Sequence, residues 1–394
     1  METLKLSILK NLYFKNPQSI ADLSLHIGKS LPNITNAVNK LLEGGYISQD
    51  GLAPSTGGRR AAQFIPIASQ LPKMLCVAID QLYSSIVLMD FNNQFSSPIK
   101  TREIDLNSKE AYHNLKSFIS EVLLSSDHAN IYGIGVTMPG FVDSHSGKNN
   151  SYPANSPWYD LKANLESAFN FPVFVENDSS AIAIAEHRFG VANQSKNVMV
   201  VNLNWGVGLG MILDNELYRG HSGYAGEFSH IPLSNTNKLC SCGKKGCLEV
   251  EASLIAAVEF AVDKLKTAEE SSLQSHYQEH QTITGDQLIE AAIEGDQLAI
   301  ESIRRIGYML GKGIATLIHI INPEQVVISG RGAKAQQILL PQVQSALLEF
   351  SIQRLSKHTK IEFSQTKNIQ LLGSACVVVG NADRSIYKQI TRIN

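Results

Sequence analysis

Apolar residues recur every three or four positions in three short stretches near the start of the chain, which is the pattern of amphipathic helices. The first predicted helix has an apolar stripe at Leu4, Ile8, Leu9 and Leu12 and is closed by Pro17. Ser19 is the predicted N-cap of a second helix, and Gly28 ends it. A third helix is predicted to begin after Ser30. We therefore expect the chain to open with three short helices.

The third helix has two distinct faces. Its apolar residues repeat at helical spacing and are predicted to be buried: Ile34, Ala37, Val38, Leu41 and Leu42. Its opposite face is polar and rich in amides: Asn33, Asn36, Asn39 and Lys40. Because asparagine can form two hydrogen bonds with an adenine edge in the major groove, this face indicates DNA recognition.

Two short strands are predicted next, over residues 46–48 and 61–65. The loop between them carries glycines followed by Arg59 and Arg60, whose guanidinium groups suit phosphates or a narrow minor groove. Three helices and a basic hairpin predict a winged helix-turn-helix. Its predicted contacts to double-stranded operator DNA are Asn33, Asn36, Asn39, Lys40, Arg59 and Arg60. The alternative is a small helical cap with a basic loop and no role in DNA binding.

From residue 74 onward the pattern changes to apolar runs of strand length with helical stretches between them. Two successive groups of strands predict a multi-domain α/β protein whose second part has two lobes and a cleft between them. Gln70–Lys73 is the predicted hinge in front of the lobes. The polar stretch Glu269–His280 is expected to be an exposed loop or helix end.

Composition is that of an ordinary soluble globular protein, with 43% hydrophobic and 18% charged residues in 394. No apolar run reaches eighteen residues, so we expect no membrane span. Lys5 and Lys10 interrupt the apolar residues at the start, which argues against a signal peptide and favours a cytoplasmic location. Residues 1–70 hold seven basic and four acidic side chains, which suits a polyanionic partner for that end.

One imidazole and three thiols lie close together in the sequence: His230, Cys240, Cys242 and Cys247. Sulfur and imidazole donors at this spacing predict a tetrahedral Zn²⁺ site, and glycines between the thiols let the chain turn sharply. Four protein ligands leave no open position, so the zinc is expected to be structural. The alternatives are a disulfide framework, which five cysteines in a chain without a secretory signal make less favourable, and a histidine that is only a core residue.

These residues carry a resemblance. Gly226–His230, followed by Cys240-x-Cys242-Gly243-x-x-Gly246-Cys247-Leu248-Glu249, resembles the signature of the ROK family of repressors and sugar kinases. Further matching segments are 139–143, 153–155, 175–178 and 321–330. The resemblance covers nearly the whole chain and is to the repressor form, the class responsive to N-acetylglucosamine, glucose or xylose. It supports the same four zinc ligands.

The resemblance implies a winged helix-turn-helix followed by a two-lobed, actin-like, sugar-kinase (ribonuclease H-like) ATPase fold. The implied domains are residues 1–70, a first lobe from 74–176 with 375–394, and a second lobe from 177–374. The implied sugar ligands are Asn155, Asn177, Asp178, Glu227, His230 and Glu249. Asp178 matches the general base of the family's kinases. Without the resemblance, Asn177 and Asp178 read as a turn at a strand end.

The phosphate-binding turns depart from the kinase pattern. The family's kinases carry Asp-x-Gly-Gly-Thr after the first strand of the fold, and here the segment Asp80–Ser84 has no glycine. The second turn keeps three glycines but places Trp205 where a small hydroxyl residue is usual. The adenosine-side turn has Arg331 in place of the second glycine. We therefore expect a protein that is not an enzyme and has no catalytic residue.

The sequence thus predicts a sugar-responsive transcriptional regulator, a repressor, acting as a homodimer or homotetramer. Its expected partners are operator DNA and a small sugar or sugar phosphate, with no membrane. The expected mechanism is closure of the lobes on the sugar, which moves the DNA-binding pair out of register with its half-sites. Two alternatives stay open: an active sugar kinase carrying a DNA-binding head, and a repressor silenced by a partner protein.

Overall fold

The computed structural model describes residues 2–53, 60–125, 130–234, 236–267 and 269–382. The helices are α1 (Glu2–Phe14), α2 (Ile20–Ile27), α3 (Leu31–Glu43), α4 (Ala111–Leu124), α5 (Leu161–Phe169), α6 (Asp178–Phe189), α7 (Glu249–Ala252), α8 (Leu254–Lys266), α9 (Gln274–His280), α10 (Gly285–Glu294), α11 (Gln297–Ile321), α12 (Gln336–Phe350), α13 (Gln353–Ser356) and α14 (Ile369–Asn381). Within the described ranges, none of them has the length and apolar character needed to cross a membrane.

The strands are β1 (Gln18–Ser19), β2 (Ile47–Leu52), β3 (Ala62–Pro66), β4 (Lys73–Ile79), β5 (Tyr83–Met89), β6 (Lys100–Glu103), β7 (Ile131–Met138), β8 (Val142–Asp143), β9 (Lys148–Asn149), β10 (Val173–Asn177), β11 (Val198–Leu203), β12 (Val207–Leu213), β13 (Glu216–Leu217), β14 (Gln325–Ser329) and β15 (Lys360–Phe363). Two compact units contain them, Met1–Ala181 with Gln370–Asn394, and Ile182–Ile369. The predicted α/β class is confirmed, while the predicted domain boundaries stay predictions.

The first three helices, with β1 to β3, form a small body that we call the head (residues 2–53 and 60–70). Its second helix starts with a capping box in which Ser19 and Asp22 bond each other's backbone N–H. Gly28 ends that helix in the left-handed conformation, at φ 67°, which glycine adopts without strain. Both predicted helix ends are therefore confirmed.

The predicted hairpin of the head is also confirmed, because β2 and β3 pair antiparallel. The two-residue strand β1 joins them on the other side of β3, and the sequence pattern did not predict it. A short 3-10 turn over Ala68–Gln70 then leads directly into β4. Leu71 is only 1% exposed and Pro72 is buried, so the two middle residues of the predicted hinge are packed, and the hinge itself stays a prediction.

In the first unit, the main sheet has the order β10-β7-β4-β5-β6. The neighbours β10, β7 and β4 run parallel, β5 runs antiparallel to β4, and β6 runs antiparallel to β5. Apolar side chains of these strands, such as Val77 and Ile134, form a fully buried core with α4 and α5. The polar residues Asn177 and Asp178 follow at the end of β10.

In the second unit, the sheet has the order β13-β12-β11-β14-β15. Its core is contributed largely by α8, α10, α11 and α12. The stretch Glu269–His280, predicted to be an exposed loop or helix end, contains the helix α9, and only Leu273 and Tyr277 are buried in it. The Asp296 carboxylate accepts hydrogen bonds from Ser271 and Ser272, so tertiary contacts order a stretch that its polar composition left unassigned.

Candidate functional site

The four predicted metal ligands come together in the second unit. The ligand atoms of His230, Cys240, Cys242 and Cys247 all lie within 4.8 Å of one another. A 3-10 turn over Phe228–His230 supplies the imidazole, and the loop before α7 supplies the three thiols. The structure therefore brings together residues that are up to seventeen positions apart in the sequence.

The distances fit a tetrahedral ion better than a disulfide. Cys242 Sγ lies 3.6 Å from Cys247 Sγ, and His230 Nδ1 lies 3.6 Å from Cys240 Sγ. Zn–S bonds of ~2.3 Å in tetrahedral geometry place two sulfurs ~3.8 Å apart. A disulfide would need an S–S distance of ~2.05 Å. All three cysteines are free, so the disulfide alternative is not supported and a single metal ion fits the donor set.

Glycine and short hydrogen bonds shape the loop that carries the thiols. Gly243 and Gly246 adopt φ values of 81° and 80°, a region that side chains other than glycine rarely enter. Cys240 donates its N–H to the carbonyl of Lys244, which closes the turn between the first and last thiols. Beneath the loop, a Cβ on Gly313 of α11 would lie 2.4 Å from Leu248 Cδ2, so the loop rests directly on that helix.

The thiols differ in their ease of ionisation. Burial raises the pKa of Cys247 to about 12 and also raises the pKa of Cys240. A hydrogen bond from the Lys244 backbone lowers the pKa of the exposed Cys242. Because a metal binds thiolates, an ion entering this cluster displaces protons from the buried thiols.

Two carboxylates border the cluster without belonging to its first ligand set. Glu227 Oε2 lies 3.6 Å from His230 Nε2, on the ring nitrogen opposite the one that faces Cys240. Glu249 Oε2 lies 3.5 Å from Cys240 Sγ. A Cβ added to Gly206 would lie 2.6 Å from Glu249 Oε1, so this carboxylate also rests against the glycine turn after β11. The sequence pattern did not predict that contact. The presence of glycine at position 206 was its one local indication, because a glycine leaves room for another group to approach.

The other three predicted sugar ligands lie in the first unit. Asn177 donates from Nδ2 to the carbonyl of Gly140 at 3.0 Å and accepts from the Ser180 N–H at 3.0 Å. Asp178 accepts from the N–H of Ser179 at 2.8 Å. Asn155 is exposed. Asn177 thus fixes the 140 loop and the start of α6, and the assignment of all six residues to sugar binding stays a prediction.

The turn between β4 and β5 uses its backbone donors internally. Asp80 Oδ1 accepts from the N–H groups of Leu82 at 2.8 Å and of Tyr83 at 2.7 Å. The N–H of Asp80 in turn donates to the carbonyl of Tyr83 at 2.9 Å. Phosphate-binding loops work by pointing free N–H groups at the ligand. Here the N–H groups of Leu82 and Tyr83 already donate to Asp80. The side chains of these two residues also take up space that glycines would leave open.

The corresponding turns of the second unit are also filled by side chains. Trp205 is buried at 8% exposure, and its indole lies 3.9 Å from where a Cβ on Gly285 would stand. Arg331 donates its N–H to Asn204 Oδ1 at 2.9 Å, and its guanidinium bonds the carboxylate of Asp286 at the start of α10. The Asp286–Arg331 ion pair was not predicted, because the two residues are 45 positions apart and no sequence motif links them.

The predicted faces of α3 are confirmed, although Leu42 is only partly buried. Asn33, Asn36 and Asn39 are exposed, and Lys40 is half-buried. Arg60 is exposed, but it donates from Nε to the carbonyl of Ala53 and from Nη2 to that of Leu52. These bonds join the two strands of the hairpin. Arg59 lies outside the described residues, and the DNA contacts stay predictions.

The matching family model is that of the ROK family, and it matches residues 77–380. The xylose repressor of Caldicellulosiruptor bescii is 26% identical over 383 residues, which cover 96% of this chain and 95% of the relative.

Two solved structures are similar along different shares of the chain. A ROK family transcriptional regulator, a homologue of the Escherichia coli MLC protein, is 26% identical with a TM-score of 0.77, covering 98% of this chain and 99% of its own. A ROK family glucokinase from Streptomyces griseus, in complex with glucose and AMPPNP, is 25% identical with a TM-score of 0.68. It covers 77% of this chain and 98% of its own. The predicted actin-like, sugar-kinase fold is thereby confirmed.

Proposed function

This chain belongs to the ROK family, and from that premise we propose that it is a sugar-responsive, DNA-binding transcriptional regulator of the repressor type. The proposal has three parts: operator recognition by the head, binding of a small sugar or sugar phosphate, and a structural Zn²⁺ held by His230, Cys240, Cys242 and Cys247. The alternative function is sugar phosphorylation by a kinase that carries a DNA-binding head.

The head is the observation that carries the proposal. The glucokinase matches only 77% of this chain although nearly all of its own length is used, whereas the transcriptional regulator matches 98%. The family model begins at residue 77, so the additional part of this chain is the head. That part has a capped α2, an amphipathic α3 with three exposed asparagines, and an antiparallel hairpin. These are the parts with which a winged helix-turn-helix reads a major groove.

The filled phosphate turns support a regulator over a kinase. Catalysis of phosphoryl transfer depends on backbone donors and space around the phosphates. In this chain the Leu82 and Tyr83 N–H groups bond Asp80, and Trp205 occupies the second turn. The similar proteins named as a xylose repressor and as a transcriptional regulator agree with the prediction that the chain is not an enzyme.

The carboxylates around the metal cluster support sugar binding. A sugar presents neighbouring hydroxyl groups, and Glu227 and Glu249 can accept hydrogen bonds from such pairs. The proposed ligand set adds Asn155, Asn177, Asp178 and His230. Zinc would hold the loop that carries Glu249 and, by binding Nδ1 of His230, would leave Nε2 facing Glu227. Sugar binding then lowers operator affinity by altering the spacing of the two heads in a dimer, since half-sites lie ~34 Å apart.

Operator binding with and without sugars tests the proposal. A DNA duplex is selected from a random pool by the full-length protein and labelled for fluorescence anisotropy. D-xylose, D-glucose, N-acetylglucosamine and the 6-phosphates of the latter two are then titrated. We expect one of them to weaken DNA binding by roughly 5- to 150-fold, and Glu249→Gln to abolish this response. Glu301→Gln, an exposed acid on α11, is the matched control. DNA binding that no sugar changes would contradict the sensor.

A coupled ADP-release assay with the same sugars tests the kinase alternative. We expect no turnover above that of a sugar-free reaction. Turnover that Asp178→Ala abolishes would replace the regulator with an active kinase.

A further inference from the structure

The first helix of the head is buried over an unusually wide arc. Its buried residues are Leu6, Ile8, Leu9, Leu12 and Tyr13. At 3.6 residues per turn they cover roughly 160° of the helix surface. A helix at the edge of a small body needs only one narrower stripe to pack against its neighbours. Part of this arc packs on α2, α3 and β3 of the head, and the remainder faces other elements of the same unit.

Tyr13 occupies that remainder and is completely buried, at 0% exposure. Its ring meets Phe91, which follows β5, edge to face at a centroid distance of 5.4 Å. Burial and then the neighbouring thiols of Cys376 and Cys76 raise the pKa of Tyr13 well above its ordinary value. Those thiols belong to α14 and β4. The ring of Tyr13 therefore packs on the segment after β5, and Cys376 of α14 and Cys76 of β4 lie close enough to affect its ionisation.

A second contact and the segment that connects the head to β4 also attach the head to the rest of the first unit. Lys10 donates from Nζ to the carbonyl of Gly380, close to the end of α14, at 2.8 Å. The segment between the head and β4 is packed, since Leu71 is 1% exposed and its carbonyl accepts from Asn130 Nδ2. A freely hinged head would have neither a buried anchor nor a buried connection.

We propose that Tyr13 is a positioning residue that anchors α1 to β4, β5 and α14, so that a change in this sheet region turns the DNA-binding head as a rigid attachment. A close-packed interface does not deform continuously, so a small shift in the sheet region moves the attached helix α1 as a rigid body. The inference rests on the proposed function, since it concerns how that function is relayed to DNA.

Hydrogen exchange on the full-length protein tests the anchor. Exchange of α3 and α14 amides is compared with and without the selected DNA duplex in wild type, Tyr13→Leu and Tyr132→Leu. Tyr132 is the matched control: it is also buried, at 1% exposure, but it stacks on Phe174. Phe174 belongs to β10, the edge strand at the far side of this sheet from β5 and β6.

In wild type and Tyr132→Leu we expect DNA to slow exchange in both helices, by about 5-fold or more in α14. In Tyr13→Leu we expect α3 to stay protected by DNA while the response of α14 is lost. An α14 response that persists in Tyr13→Leu would overturn the anchor. If Tyr13→Leu does not fold, Lys10→Met removes the second contact from a half-buried position, and an unchanged α14 response there would have the same meaning.

Thermal unfolding without DNA separates this inference from the proposed function. We expect the head and the sheet region to unfold together in wild type and in Tyr132→Leu, and the head to unfold earlier in Tyr13→Leu. If no duplex is bound but Tyr13→Leu alone shows this split, the regulator proposal fails and the anchor stands. A single shared transition in Tyr13→Leu would count against the anchor whatever the DNA result.

Discussion

The head and the loop from Glu227 to Glu249, which we call the metal loop, keep their shapes by different means. The head has a core of fully or almost fully buried apolar side chains from all three helices: Ile8, Leu9, Leu12, Leu23, Ile34 and Leu41. The metal loop has one short 3-10 turn and few buried apolar residues. Leu239, next to the first thiol, is 64% exposed.

The difference shows what each region needs in order to fold. Burial of apolar surface is enough to hold three capped helices and a hairpin together. A loop that leaves Leu239 exposed gains little from burial, so we expect its close-set thiols to be held together by an ion that binds them as thiolates. The head should therefore respond to core mutations and ignore chelators, while the metal loop should show the opposite behaviour.

Loss of a metal ligand is the strongest way to test this contrast. We expect Cys247→Ser to reduce bound zinc from one ion per chain to none. We also expect it to lower the free energy of unfolding of the second unit by at least about 4 kcal/mol, which is the contribution of an ion present at a thousand times its Kd. The upper limit is about 10–16 kcal/mol, the binding free energy of zinc in small zinc-finger peptides. Zinc content by mass spectrometry and chemical denaturation measure the two effects.

Cys76→Ser provides the control for that variant, because Cys76 is a buried cysteine of β4 outside the cluster. Its zinc content should equal that of the wild type. A Cys247→Ser protein that retains a full equivalent of zinc would show that the four residues are not the ligands.

A core truncation in the head should give the complementary result. Leu41→Ala empties a site that is 0% exposed and is expected to cost about 2–5 kcal/mol. DNA binding should fall accordingly, while the zinc content stays at one ion. The matched control is Leu115→Ala in α4, equally buried but in the sheet region. Zinc loss in Leu41→Ala would mean that the metal loop depends on the core of the head, contrary to the comparison made above.

The contrast also explains what the sequence could predict. Helix ends at Ser19 and Gly28 were predictable because capping depends on local residue chemistry, and the cluster was predictable because metal ligands have characteristic spacing. The helix in Glu269–His280 was missed, because its order comes from contacts of Ser271 and Ser272 with Asp296. Such contacts between distant residues leave no periodic pattern.

Site contacts follow the same rule. Glu227 and Glu249 stand beside the four predicted metal ligands in the sequence, and both lie next to the cluster in the structure, while their role in sugar binding stays a prediction. The contact of Glu249 with Gly206 and the buried anchor of Tyr13 join separate parts of the chain, so neither could be derived from spacing. The one local indication was Gly206, which remains a glycine in a turn that otherwise departs from the kinase pattern. A glycine there leaves room for the Glu249 carboxylate to approach.

Base recognition by α3 gives a smaller effect that is confined to the head. We expect Asn36→Ala to reduce discrimination between the selected duplex and variants with one base pair changed by about 1–3 kcal/mol. Arg60→Ala should instead weaken binding to all duplexes, because its bonds to the carbonyls of Ala53 and Leu52 hold the hairpin together. Anisotropy with a set of single-base variants distinguishes the two. Equal losses on every duplex for Asn36→Ala would remove it from base readout.

The helix cap at Ser19 tests the head at its smallest scale. Hydrogen bonds from Ser19 lower the pKa of Asp22, so this carboxylate stabilises the head above its ordinary pKa of 3.8 and loses that contribution as pH falls through its lower folded value. We expect Ser19→Ala to cost about 1 kcal/mol at pH 7. The difference from wild type should shrink as pH falls from 3.8 through the lower folded pKa of Asp22, because protonation of this carboxylate removes its half of the capping box in both proteins. Denaturation midpoints at several pH values measure this, and a difference that stays constant throughout acid unfolding would show that the carboxylate has no part in the cap.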